Sequence, residues 1–498
     1  MMTKQALKLL HRFLISLIVT LLCVIPALGA SPRYNKFDEI DAFIESRLAR
    51  DRIPGVALVV AQGSEIVYRQ GYGIAGVNRE MTADTPMFIG SQTKSFTALA
   101  VMQLVDAAKI ELNAPVQHYI PWFKVADPKA SAQITIRSLL NHSSGLSEAG
   151  YIAQFPDNAT MEDVVRDLQH ARPTAPFGTK FQYFNPGYIV LGYLVEVVSG
   201  QTYGDYLRQN IFEPLGMNHS SAEVNEYPSM DIAQGYTQLF GFPVPMEQPL
   251  ARFYLPAGFI VSTAEDLARY LIAMGNGGEL DGKRVLSEKS VALMLTPDMV
   301  NSSIAGLGWD ITSYYGEKEI IHGGANERFN TQVLILPQSG LSVVMLINQD
   351  HMFKATYDYP PLFWGVVSSL TGRPVPQQKV SGVIIGYGLL VAFLAILFFS
   401  ARGLLAMPKE RKRMARLTAG RRWLRLLPHG ISFLVTLVFV MVVGPSLAGR
   451  GFDLRWFVGF YPDVAIMAGF VLVAEIVQAV VKMVFIFRPL GIEPSNQP

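Results

Sequence analysis

Phe88-Ile89-Gly90-Ser91-Gln92-Thr93-Lys94-Ser95-Phe96-Thr97-Ala98-Leu99-Ala100-Val101-Met102-Gln103-Leu104-Val105 sets a hydroxyl one helical turn ahead of an amine. Ser91 falls where an N-cap is expected, and from Phe96 onward apolar residues recur with a helical period. Positions i and i+3 share a helix face, so the Ser91 hydroxyl and the Lys94 amine can meet. A serine hydroxyl is a poor nucleophile until a neighbour accepts its proton, which a desolvated lysine can do. The helix N-terminus adds partial positive charge where an oxyanion would form. Alone, the pair proves little. Average usage gives about one Ser-x-x-Lys by chance in a chain of this length, and a capping Ser followed by a solvated Lys is the more ordinary explanation of the pair on its own.

Working outward, Asn35 to Arg50 reads as an amphipathic helix, with Ile40, Phe43, Ile44 and Leu48 on one stripe. Gly55 to Ala61 and Glu65 to Gln70, joined by Gln62-Gly63-Ser64, read as a β-hairpin. Thr331 to Leu336 and Leu341 to Asn348 flank Pro337-Gln338-Ser339-Gly340 as a second hairpin, with Glu319 to His322 a strand just before it. The middle is helical, notably Gly187 to Val198 ended by Gly200 and Ala264 to Met274 ended by Gly275. Strands at both ends with helices between imply an α+β fold. An antiparallel sheet is closed by early and late strands, flanked by helices and interrupted by an inserted all-α region.

The rest of the chain is of another kind. Of 498 residues, half are hydrophobic and 16% are charged, and mean hydropathy is +0.26, which places part of the chain in lipid. Val380 to Phe399, Leu426 to Leu447 and Val464 to Phe487 are each long and apolar enough to span a bilayer. Between the first two lie Arg402, Lys409, Arg411, Lys412, Arg413, Arg416, Arg421, Arg422 and Arg425 against one acid, Glu410. The positive-inside rule makes that loop cytoplasmic and puts everything before Val380 outside. Glu475 and Lys482 within the third span are costly in lipid, so they face neighbouring helices, or Lys482 snorkels to the interface.

Lys4, Lys8 and Arg12 precede the apolar run Phe13 to Ile25, and Pro26, Ala27 and Gly29-Ala30 follow it in signal-peptide order. Cleavage fits after Gly29 or Ala30; an uncleaved anchor helix would put the next domain on the same side. Thr20-Leu21-Leu22 before Cys23 lacks the small residue of a lipoprotein site, so no lipid anchor is expected. Domains are thus expected at 1–30 (signal peptide), 31–376 (exported domain) and 377–498 (an all-α three-helix transmembrane module). Net charge of only +2 gives no global reason to expect nucleic acid, and the basic loop has its own explanation in its flanking spans. With the signal segment removed no cysteine remains, and no His-Glu-x-x-His pair occurs, so neither a metal nor another cofactor is expected.

Two more clusters carry functional groups. Phe181-Gln182-Tyr183-Phe184-Asn185-Pro186-Gly187-Tyr188 precedes an apolar helix, and Ile320-Ile321-His322-Gly323-Gly324-Ala325 ends a strand in glycines that let a substrate lie against the backbone. Each is unremarkable alone. A half-buried Tyr183, an N-capping Asn185 and a hydrogen-bonded His322 would account for them.

In this order, however, the chain resembles the serine β-lactamase and penicillin-binding-protein superfamily, in its class C β-lactamase, esterase and D-peptidase branch. The family's Ser-x-x-Lys, Tyr-x-Asn and Lys-Thr-Gly or His-x-Gly elements are matched by Ser91 and Lys94, by Tyr183 and Asn185, and by His322 to Gly324. Leu139-Leu140-Asn141-His142-Ser143-Ser144-Gly145-Leu146, Pro214-Leu215-Gly216-Met217 and Pro256-Ala257-Gly258 also look like the branch, and the resemblance runs roughly from Phe37 to Gln349.

The resemblance implies a β-lactamase/transpeptidase-like fold and an acyl-enzyme mechanism. Ser91 would attack a carbonyl, Lys94 and Tyr183 would move its proton, and water would release the acyl group. Asn185 would orient Lys94 and hold the substrate amide. The N–H groups of Ser91 and Ala325 would form the oxyanion hole, beside Gly324. His322 would stand where many relatives carry a carboxylate-binding Lys. Two departures, the His at 322 and Ala325-Asn326-Glu327-Arg328-Phe329 after Gly324, favour an ester or D-amino-acid peptide over a β-lactam. Arg328 would either restore the positive charge or serve the surface. The expectation is a multi-pass membrane serine hydrolase with an extracytoplasmic catalytic domain, acting on a small-molecule or peptide substrate, peptidoglycan and β-lactams included. A D-Ala-D-Ala carboxypeptidase or endopeptidase, a β-lactamase, and a slowly deacylating penicillin-binding sensor are the alternatives.

Overall fold

A computed structural model describes residues 36–298, 304–374, 380–443 and 453–487. The signal segment expected at 1–30 and the domain junction expected at 376 lie outside the described residues. The main sheet comprises Gly55–Gln62 (β1), Glu65–Gly76 (β2), Arg79–Glu80 (β3), Asp310–Tyr314 (β4), Glu317–Ala325 (β5), Asn330–Leu336 (β6) and Leu341–Ile347 (β7). Its order is β4-β5-β6-β7-β1-β2-β3, antiparallel throughout. The two hairpins legible in the sequence meet at β1 and β7, where Val56 lies opposite Ile347 and Gln62 opposite Leu341.

The helices that matter here are Lys36–Asp51 (α1), Thr93–Asp106 (α2), Asn185–Ser199 (α3), Ala264–Gly275 (α4), Tyr359–Thr371 (α5), Gly382–Ala415 (α6), Leu427–Val438 (α7), Leu454–Phe460 (α8) and Pro462–Phe487 (α9). Successive strand side chains point to opposite faces, and β1 is buried on both. Ala57, Val59 and Ala61 join a core with Phe96, Leu99, Ile189, Val190, Leu267 and Leu271 of α2, α3 and α4. Val56, Leu58 and Val60 join a second with Ile40 and Ile44 of α1 and Leu362, Phe363 and Val366 of α5. Each such Val, Ile or Leu contributes about 2 kcal/mol by leaving water. The result is a helix–sheet–helix sandwich, with the helical insertion between β3 and β4.

Helix boundaries follow local chemistry. Thr263 caps α4 by accepting the Asp266 N–H, and Gly200, at φ 74°, ends α3 in the left-handed conformation. Two expectations are corrected. Ser91 is not an N-cap: it sits in a 3₁₀ turn, Gly90–Gln92, and the α-helix begins at Thr93. The strand at His322 does not end at the glycines. It runs on to Ala325, because Gly323 and Gly324 still pair with Gln332 and Thr331.

Among the described residues, three helices are long and apolar enough to cross a membrane: Gly382–Ala415, Ala419–Val442 and Pro462–Ile486. Exposed Ile384, Val391, Leu394, Phe398, Leu434, Val473 and Val480 cover them with apolar surface that suits lipid rather than water. Residues 444–447 of the second expected span lie outside the described residues. Glu475 and Lys482 both turn to α7. The Glu475 carboxylate meets His429 Nδ1, and Lys482 Nζ lies 2.8 Å from His429 Nε2. The first span is anchored in the sandwich by buried charges. Arg47 pairs with Asp51 at 2.8 Å and Lys354 with Asp358 at 3.5 Å, and Asp358 accepts the Gly382 N–H at the α6 N-terminus, 2.9 Å away.

Candidate active site

Gly90 has φ +53°, and a Cβ there would lie 2.5 Å from Ala325 N. A Cβ on Gly324 would lie 2.0 Å from Ile89 O. Both positions therefore need glycine, and the missing side chains let the turn bearing Ser91 press against the edge of β5.

The first turns of α2 are stitched to the Pro256-Ala257-Gly258 segment. Thr97 Oγ1 donates to Pro256 O (2.7 Å), Lys94 Nζ to Ala257 O (2.5 Å), and Thr93 Oγ1 accepts from Ile260 N (3.2 Å). Positions 93 and 97 are one turn apart on one helix face, with 94 beside them. Lys94 has no exposed surface. Its Nζ lies 3.1 Å from Ser91 Oγ and 4.9 Å from the centre of the Tyr183 ring.

Tyr183 arrives from the loop before α3. On either side of it, Gln182 N–H donates to His142 O (2.8 Å) and Phe184 N–H to His142 Nδ1 (3.1 Å). These bonds hold the loop's flanks and leave the Tyr183 hydroxyl 2.9 Å from Ser91 Oγ. The His142 ring lies on the Tyr183 ring, centroids 4.5 Å apart. As an acceptor at Nδ1, His142 is a neutral imidazole. Burial, with the Lys94 charge second, holds its pKa well below the usual range.

Asn185 is the first residue of α3 rather than its cap, which is Phe184. Its amide donates to the buried Glu148 carboxylate. His322 is buried, with Nδ1 2.8 Å from Gly323 O. Burial first, then Lys94, lower its pKa to about 4, and only the Gly323 carbonyl opposes them. It is neutral at pH 7, so it supplies no fixed cation. Arg328 does not serve the surface. It is buried, and Nη1 reaches Glu327 O (2.6 Å) and Gly459 O of α8 (3.4 Å).

Two cavities meet at Ser91, Phe181, Tyr183 and Ala325. One, of about 1740 Å³, also holds Asn185 and Arg328; the other, of about 480 Å³, holds His142, His322 and Gly324. Ser91, Lys94, Tyr183, Asn185, His322, Gly324 and Ala325 are thus gathered around one point from three separate segments.

This constellation has relatives. The Beta-lactamase family model matches residues 40–361. The chain belongs to the β-lactamase family. Penicillin-binding protein 4 of Amycolatopsis lactamdurans is 31% identical over 342 residues, 65% of this chain and 88% of that protein. Protein flp of Staphylococcus aureus (strain COL) is 27% identical over 321 residues, 62% of this chain, which spans 62% of flp. The solved structure of the octameric penicillin-binding protein homologue from Pyrococcus abyssi superposes with a TM-score of 0.60 at 28% identity, covering 69% of this chain and 79% of its own. The sandwich is that of a β-lactamase-family serine hydrolase, followed by three candidate membrane helices.

Sequence reasoning missed two members of this β-lactamase-family site. Glu148 is 37 positions from Asn185, and a lone acid after Ser147 gives no signal of it. His142 stood within a stretch that resembles the family, but its hold on the Tyr183 loop depends on a fold contact across 42 positions.

Proposed function

We propose that this chain is a membrane-anchored, extracytoplasmic serine hydrolase that works through an acyl-enzyme on Ser91, with ester or D-amino-acid peptide substrates. One observation carries the reading: Ser91 Oγ stands 3.1 Å from Lys94 Nζ and 2.9 Å from Tyr183 OH where two cavities meet. Lys94 and Tyr183 take the serine proton as the Oγ–carbonyl bond forms, and return one to the leaving alcohol or amine as its bond breaks. Water then hydrolyses the acyl-enzyme by the reverse relay. The two cavities suit the two sides of the scissile bond. The N–H groups of Ser91 and Ala325, brought together by Gly90 and Gly324, receive the oxyanion. Asn185 and His322 line the substrate's path as hydrogen-bonding groups.

A neutral His322 offers a substrate carboxylate no charge, which supports substrates that lack a carboxylate beside the scissile bond, esters among them, over β-lactams. The extracytoplasmic placement draws support from Arg402 to Arg425. These residues lie along the last turns of, and just beyond, a 34-residue helix that leaves the hydrolase domain at Gly382 and ends at Ala415. The likeness to Penicillin-binding protein 4 favours, as a second reading, a D-Ala-releasing carboxypeptidase.

The test is mass spectrometry of Ser91 after incubation with short-chain p-nitrophenyl esters, D-Ala-D-Ala peptides and a chromogenic cephalosporin, with turnover measured alongside. A Ser91 adduct is expected, with faster turnover of esters or D-peptides. Faster cephalosporin cleavage reverses the substrate order, and no adduct with any of the three removes the acyl-enzyme.

A further inference from the structure

The larger cavity at Ser91 is not closed by the hydrolase domain alone. One wall is α8, the short helix between the second and third candidate spans, which contributes Trp456, Phe457 and Phe460. Leu250, Phe253 and Tyr254 of the helical insertion line the same cavity. The lining continues to Phe439, near the end of the second span, and Val464, in the first turn of the third. One continuous cavity therefore runs from the nucleophile to the ends of two membrane helices.

α8 is held in place at several points. Phe457 is buried, the Gly459 carbonyl accepts from Arg328, and a Cβ at 459 would lie 2.6 Å from Glu327 Cγ. Just beyond it, buried Asp463 lies 3.2 Å from buried His351. At the outer edge the hold is weaker: Arg455 pairs with Asp157 at 3.1 Å, both well exposed.

At about 1740 Å³ the space exceeds the roughly 300–1,000 Å³ of ordinary small-molecule sites, and its far wall is aromatic and aliphatic. We propose that the substrate is an amphiphile. Its scissile ester or amide carbonyl lies at Ser91, and its long apolar chain lies between α8 and the Leu250–Tyr254 segment, pointing to the membrane. This inference deepens the hydrolase reading and rests on it. The chemistry is that of the acyl-enzyme above; the added claim concerns what fills the cavity. It also gives the second and third helices a role beyond anchoring, which one helix would satisfy.

The test uses the full chain in lipid nanodiscs. Two substrate series are compared: p-nitrophenyl esters from butyrate to laurate, which put the chain on the acyl side, and acetates of matching alcohols, which put it on the leaving side. Each buried methylene is worth about a fourfold gain in binding. The wild type is therefore expected to prefer the long members of one series by well over about tenfold in kcat/KM. Trp456→Ala and Phe460→Ala should cut that preference at least about tenfold, whereas Trp456→Phe should keep it. Partitioning into lipid is common to all variants and cancels in the comparison. A small fluorophosphonate run in parallel reports whether Ser91 reacts. Ser91 labelled with no long-chain preference in either series, or with a preference untouched in both alanine variants, overturns the amphiphile alone. Ser91 unlabelled in the wild type overturns the hydrolase reading and takes this inference with it.

Discussion

The imidazole of His142 lies on the ring of Tyr183, with centroids 4.5 Å apart and planes 29° from parallel, while its Nδ1 accepts the Phe184 N–H. A proton on Nδ1 would break that bond and set a second cation beside Lys94. The positioning of Tyr183 is thereby tied to the neutral form of His142.

Stability should fall in acid for this reason. In the unfolded chain the imidazoles of His142 and His322 take up protons near pH 6.5; folded, His322 does so only near pH 4, and His142 well below its usual range. The unfolded state then binds more protons between about pH 6.5 and 4, so stability rises with pH through that window. His322 accounts for a loss of about 3 kcal/mol once the pH is below 4. Melting curves from pH 8 to 4 should show a steady drop below 6.5 that is shallower in His322→Gln. An equally steep drop in the variant would remove His322 as the cause.

Ser91→Ala should lower turnover by at least about 10³-fold and end covalent labelling, with little change in melting temperature, since only a partly exposed hydroxyl is lost. Lys94→Met should cost about 10²–10⁴-fold. It also leaves the buried Ala257 carbonyl without its donor, at about 1–3 kcal/mol. Active-site titration with a fluorophosphonate, alongside calorimetry, separates the two effects.

Asn185 and Glu148 offer a reciprocal exchange. Asn185→Asp sets a second carboxylate against Glu148 in a buried site and should reduce both stability and activity. Adding Glu148→Gln restores a donor to the pair and should recover most of the stability. A double variant no better than the single one would mean that the bond is incidental.

Two adjacent glycines should respond differently. A methyl on Gly324 meets Ile89 O at 2.0 Å, whereas one on Gly323 has only Thr331 O at 4.0 Å. Gly324→Ala should push β5 from the Ser91 turn and lose most activity. Gly323→Ala should keep most of it. Equal rates in the two variants, measured on a short-chain ester, would refute the close approach.

Much of this was legible in the chain. The i, i+3 spacing of Ser91 and Lys94 survives the change from N-cap to 3₁₀ turn, because both conformations keep such residues on one face. The apolar runs of β1 and β7 with their turn residues, and the apolar spans, were equally plain, being properties of neighbouring residues. The extent of β5 was not: glycine weakens a strand read in isolation, and the cross-strand partners Thr331 and Gln332 supply what local propensity lacks.

The sequence by itself determined which chemical groups exist and which neighbours share a face, because periodicity and turn chemistry act over a few residues. Only the tertiary structure decided that His322 is neutral, that Glu148 meets Asn185, that Arg328 is buried against α8, and that aromatic residues from the membrane module wall the cavity at Ser91. Each depends on burial or on contacts across tens to hundreds of positions. Desolvation and long-range packing arise when the chain closes on itself, and no local pattern records them.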